Sequence, residues 1–138
     1  MSRYELPDDL SVFDFVGGEP TFRRLVDVFY ARVEADESLR PMFPDDLTPG
    51  KQWQYLFLMQ FFGGPTQYMN ERGHPRLRMR HQPFRIDSHA RNAWLGHMLA
   101  AIDEVQIAEP ARTIMRDYFE RGSEFMINTW EEGTDHES

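Results

Sequence analysis

Apolar side chains recur along this chain with the helical period wherever a pattern is legible. Phe22, Leu25, Val26, Phe29, Tyr30 and Val33 fall at i, i+3, i+4, i+7, i+8 and i+11, one stripe of an amphipathic helix. Gly17-Gly18 marks a break just before it, so the spacing predicts a helix over Glu19 to Ala35 and a shorter one over Leu10 to Val16. Pro41-Met42-Phe43-Pro44 then allows little more than a turn or a 3₁₀ piece, because each proline fixes φ and removes a backbone donor. Phe43 is thereby an aromatic on a bend.

Thr48-Pro49 has the form of a helix start, with a hydroxyl at the cap and proline in the first turn, and Gly63-Gly64-Pro65 is the matching stop. Between them Trp53, Tyr55, Leu56, Phe57, Leu58, Met59, Phe61 and Phe62 cover far more than one stripe, so neighbours must contact this helix on more than one side. Gln54 and Gln60 are the polar residues in that run. Asp87-Ser88 can cap a helix whose apolar face is Trp94, Leu95, Met98, Leu99, Ile102 and Val105, ending before Pro110. A last helix is expected from Ala111 to Trp130. No segment has the alternation of a strand and no repeat is visible. The expectation is an all-α domain over residues 1–130, four main helices with a long irregular connection between the second and third, followed by an acidic tail at 131–138 that frays.

With 138 residues the chain has the size of one domain. The sequence contains no cysteine, which excludes disulfides, thiolate zinc sites, iron–sulfur clusters and thiol nucleophiles. The first residues have no signal-peptide core and no run is long enough for a membrane span, so a cytoplasmic protein with no membrane role is expected. A net charge of −8 repels a phosphate backbone and speaks against nucleic acid as a partner.

The acidic balance has one local exception. Between Arg72 and Arg91 six arginines face the single acid Asp87, and elsewhere Lys51 is the chain's one lysine. Guanidinium groups suit carboxylates and phosphates in bidentate geometry, so this stretch either binds an anion or simply coats the surface. The same stretch carries His74 and His81. Pro83 and a turn of possible helix confine the backbone around His81, a way to present one imidazole to a metal or cofactor; a solvated basic loop is the plainer reading. Aromatic residues make up 14% of the chain. That abundance suits either ordinary core or a core wrapped around something flat and apolar.

Several short motifs occur in a telling order. They are Val16-Gly17-Gly18, Phe29-Tyr30, Phe43-Pro44-Asp45-Asp46-Leu47, Gly63-Gly64-Pro65, Gly73-His74-Pro75, Met79-Arg80-His81-Gln82-Pro83-Phe84 and Ala93-Trp94-Leu95. In this order and spacing, from about Phe13 to Asn128, the chain resembles the truncated haemoglobins, and within them the second group. The resemblance implies a globin-like two-over-two helical sandwich around a b-type haem, with His81 as the proximal iron ligand. A neutral imidazole suits that role, and one histidine leaves the opposite coordination position open for a diatomic gas. Arg80 is the implied partner of a haem propionate, and Tyr68, Leu77, Met79, Phe84, Ile86 and Phe57 are candidates for the pocket wall. His74 is expected in a turn. Glu71-Arg72-Gly73-His74 spells half of a di-iron motif, but one copy with a glycine inside it is set aside.

By the same resemblance Tyr30 matches the distal tyrosine, Trp94 the distal tryptophan and Phe43 the aromatic that packs on the haem. Gly50 falls at the distal gate and Gln54 one turn later. Hydrogen bonds from a phenol, an amide and an indole N–H would hold a polarised dioxygen and slow its loss. Many relatives have tyrosine where this chain has Phe43, so one potential hydrogen bond is missing. The implied activity is reversible, tight binding of O2, with NO and CO as further ligands. The alternative is a haem enzyme, a nitric oxide dioxygenase or a peroxidase-like protein, that needs an external electron donor. A homodimer is compatible with the sequence.

Overall fold

The computed structural model describes residues 6, 9–74, 76 and 85–128. Among them are six α-helices: α1 (Val12–Phe15), α2 (Glu19–Ala35), α3 (Thr48–Phe61), α4 (Gln67–Arg72), α5 (Ser88–Val105) and α6 (Ala111–Phe125), with a 3₁₀ turn at Arg40–Met42. No strand occurs among the described residues. None of the described helices is long and apolar enough to cross a membrane.

The stripe on α2 is the centre of the molecule. All six of its residues are buried, with Phe22, Leu25, Phe29 and Val33 fully so. α2 packs beside α3 and across α5, and α5 packs against α6, which gives two helices over two. Met98 and Ile102 of α5 and Met115 of α6 meet the α2 stripe in a continuous core.

Local chemistry sets the ends of these elements. The Ser11 hydroxyl accepts from the Asp14 N–H and opens α1. The Phe13 N–H donates to the Phe62 carbonyl at 2.8 Å, which docks α1 on the end of α3. This contact explains Gly63-Gly64 beyond its role as a helix stop. A Cβ on Gly63 would lie 2.5 Å from the Ser11 Cβ, and one on Gly64 would lie 2.6 Å from the Phe13 ring.

Two expected boundaries are corrected. Thr48 lies inside α3 rather than capping it: its own N–H is held at 3.0 Å by the Asp46 carboxylate, a residue better placed to close the turn. α6 ends at Phe125 and so falls short of Trp130, which lies outside the described residues. Beyond α6 the chain turns back on the start of α5. The Ile86 N–H donates to Asn128 Oδ1 at 2.8 Å, and the Asn128 N–H donates to the Ile86 carbonyl at 2.9 Å. The long connection is also less irregular than expected, since it contains α4. Gln60 of α3 accepts the Met69 N–H at 2.8 Å and fixes the approach to that helix.

Candidate functional site

The side chains expected on the distal side come from α2, the bend after it, α3 and α5. Tyr30 is the last large side chain but one of the α2 stripe and is buried at 8% exposure. Burial pushes its phenol up to about 12, so the hydroxyl stays protonated and available as a donor. Its ring meets Phe43 edge to face with centroids 6.1 Å apart, and the neighbouring Phe29 at 5.3 Å. Phe43 reaches it because Arg40 braces the bend, donating to the carbonyls of Phe43, Pro44 and Asp45 at 3.3, 2.9 and 2.9 Å.

α3 passes directly over the phenol. A Cβ on Gly50 would sit 3.3 Å from the Tyr30 hydroxyl oxygen, the nearest atom to it, and Gly50 itself is exposed. One turn further along the same face lies Gln54, whose Oε1 is buried without a hydrogen-bond partner in the protein. Leaving such an atom unpaired is costly, so this amide is suited to a polar partner brought into the site. Trp94 of α5 is half-buried and packs on Phe29 at 5.1 Å, so Phe29 is the ring that joins it to Tyr30.

A second aromatic group stands further along α3. Tyr68 of α4 is buried and meets Phe57 at 5.5 Å and Trp53 at 5.9 Å. The Arg72 guanidinium lies 4.5 Å above the Trp53 ring and 5.7 Å from that of Tyr68. This clamp between α3 and α4 escaped sequence reasoning, because no local pattern connects Trp53 with Arg72 until α4 is in place. Ile86 is half-buried where the connection re-enters α5. His81, Arg80, Leu77, Met79 and Phe84 lie outside the described residues.

The basic stretch divides into separate uses. Arg72 serves the clamp, whereas Arg91 holds the far end of α6, donating to Ser123 Oγ at 3.0 Å and to the Glu120 carbonyl at 2.9 Å. Arg76 and Arg85 are exposed. His74 is a turn residue whose Nδ1 accepts the Arg76 N–H at 3.0 Å. His97 faces Asp36 at 2.6 Å.

A neutral phenol, a buried amide oxygen without a partner and a set of ring faces fit the distal side of a flat, apolar group that carries a small polar ligand. Together with the two-over-two helices, they define a globin of the truncated type. The bacterial-like globin family matches residues 11–128. The Group 2 truncated hemoglobin YjbI of Bacillus subtilis is 41% identical over 114 residues, covering 83% of this chain and 86% of that protein. Among solved structures, the hemoglobin of the thermophilic phototroph Chloroflexus aurantiacus superposes with a TM-score of 0.87 at 57% identity, covering 88% of this chain and all, 100%, of the other. A truncated oxygen-avid haemoglobin from Bacillus subtilis superposes at 0.82 with 39% identity, covering 86% and 100%. The chain belongs to the bacterial-like globins, as a group 2 truncated haemoglobin.

Proposed function

We propose that the chain binds haem b through the imidazole of His81 and holds dioxygen tightly on the opposite face, with Tyr30, Gln54 and Trp94 supplying hydrogen bonds. The observation that carries this reading is the buried, unpartnered Gln54 Oε1, one helical turn from the glycine beneath which the Tyr30 hydroxyl lies. Haem, when bound, would supply an iron able to take the imidazole of His81 and a diatomic gas.

The chain's own residues do the rest. Tyr30 is held neutral by burial and so donates. The Gln54 side chain carries both a donor and an acceptor, which lets it link the gas to a second donor. Trp94 offers an indole N–H and nothing else. Phe43 closes the site on the side of the bend without adding a polar group. Phe57 and Tyr68 would form wall on the far side, with Leu77, Met79, Phe84 and Ile86 assigned to the same wall, and Arg80 would pair with a propionate. The oxygen-avid character of the Bacillus subtilis structure is consistent with tight holding here. A gas held this firmly suits capture or storage better than delivery.

Oxygen dissociation from the wild type and from Tyr30→Phe, Gln54→Leu and Trp94→Phe tests the assignment. Loss of a hydrogen bond to a polarised ligand is worth about 1.5–3 kcal/mol, so release is expected to accelerate roughly tenfold or more in the variants whose donor touches the gas. If all three release oxygen at the wild-type rate, the distal assignment is wrong.

A further inference from the structure

Asp36 ends α2 and uses both of its carboxylate oxygens. Oδ1 accepts from the Ser38 N–H, the Ser38 hydroxyl and the Leu39 N–H at 2.9, 2.8 and 3.2 Å. Oδ2 meets His97 Nε2 of α5 at 2.6 Å, and the two side chains are only 19% and 17% exposed. The Asp36 carbonyl also accepts the Arg40 N–H at 2.8 Å. Arg40 in turn braces the carbonyls of Phe43, Pro44 and Asp45. From Asp36 to Asp45 the segment is thus linked by hydrogen bonds, and Phe43 lies within it.

The other end of the pair is equally well placed. His97 lies one turn beyond Trp94 on α5. Phe43 and Trp94 are the rings on either side of the Phe29–Tyr30 pair. This side-chain hydrogen bond therefore joins the two elements that carry the flanking rings of the proposed distal site.

The packing of α2 on α5 stands without this pair. α2 and α5 already meet through fully buried Phe22, Leu25, Phe29, Met98 and Ile102. His97 Nδ1 is moreover buried with no partner, an unfavourable arrangement that fixing the ring against Asp36 accounts for. A pair that the α2–α5 packing does not require, and that spans two elements of the site, is explained by geometry.

We infer that Asp36 and His97 are positioning residues that hold the bend carrying Phe43 in register with Trp94 and thereby set how fast the bound gas leaves. The inference rests on the gas-binding reading above. Neither residue touches the ligand; both act through the rings.

The test uses the haem-loaded protein and the variants His97→Leu, His97→Gln and Asp36→Asn. Oxygen dissociation and the C–O stretching band of the carbon monoxide complex are measured, with thermal unfolding alongside. His97→Leu and Asp36→Asn are expected to release oxygen about threefold faster or more and to shift or broaden the C–O band. His97→Gln keeps an N–H directed at Asp36 and should stay near the wild type. Should His97→Leu not fold, Asp36→Asn still decides the question, because its amide oxygen can keep the Ser38 turn while the link to His97 is weakened. Unaltered release and an unaltered C–O band, with only a lower melting temperature, would overturn the clamp. A wild type that forms no oxygen complex would instead defeat the gas-binding reading, and the clamp with it.

Discussion

The hydroxyl of Tyr30 lies directly beneath Gly50: a single methyl group there would come within 3.3 Å of the phenol oxygen. Since Gly50 is exposed and Tyr30 is buried, a bare turn of α3 is what separates the proposed site from solvent. α2 and α3 cross at this point, and the missing side chain lets them approach.

Filling that space should therefore slow the arrival of ligands more than their departure. Gly50→Val is expected to lower the association rate of carbon monoxide by about tenfold, with Gly50→Ala intermediate, because an added side chain must displace the phenol or block the passage. Laser photolysis of the carbon monoxide complex measures this. Rates equal to the wild type in both variants would show that ligands enter elsewhere.

Glycines at two other positions should respond in opposite directions. Gly63 has φ +98°, and a Cβ there would collide with Ser11, so Gly63→Ala should lower stability by about 1–3 kcal/mol. Gly96 lies within α5 with nothing near its missing Cβ, so Gly96→Ala should raise stability by about 0.5–1 kcal/mol. Denaturant unfolding of the pair checks both signs. A stabilising Gly63→Ala would mean that the docking of α1 on α3 is misdescribed.

Acid should erase the contribution of Asp36. The bond from His97, helped by Ser38, holds its carboxyl well below the usual carboxylate range. A carboxyl whose pKa is depressed by folding stabilises the fold above its unfolded pKa, and the gain disappears as pH falls through that range. The difference in melting temperature between wild type and Asp36→Asn should accordingly narrow as pH drops from about 5 to about 2. A gap that is constant over this interval would contradict the assignment.

Alkali should act on Tyr30 in the opposite sense. Burial raises its phenol from 10.0 to about 12, so the contribution is intact below pH 10 and is lost as pH rises from there toward 12. Tyr30→Phe, which cannot ionise, should lose less stability than the wild type over that interval. Tyr118, pushed up to about 12 by its own burial, supplies a control through Tyr118→Phe. Parallel stability curves for wild type and Tyr30→Phe would indicate a phenol open to solvent.

The parts legible in the sequence are those governed by local period. Every residue of the predicted α2 stripe is buried, and Asp87 caps α5 as its position suggested, accepting the Ala90 N–H at 2.8 Å. The cap of α3 was misjudged because Asp46 competes with Thr48 from two residues away, and side-chain type alone does not decide between them. The end of α6 depends on a contact between Asn128 and Ile86, 42 residues apart, which no helical pattern contains. The link between Asp36 and His97 spans 61 residues and was invisible for the same reason. Tyr30, Gly50 and Gln54 could be nominated from motif order. The approach of Gly50 to the Tyr30 hydroxyl became visible only once α2 and α3 were packed together, because it depends on one missing side chain.

The visible spectrum of the haem-loaded protein is the most direct test, with wild type beside His81→Ala. The wild type is expected to show an intense Soret band and to form stable oxygen and carbon monoxide complexes, and His81→Ala to lose the band or the normal ligand complexes. A wild type that takes up no haem, or a His81→Ala spectrum identical to that of the wild type in the ferric, ferrous and oxygen-bound states, would contradict the account.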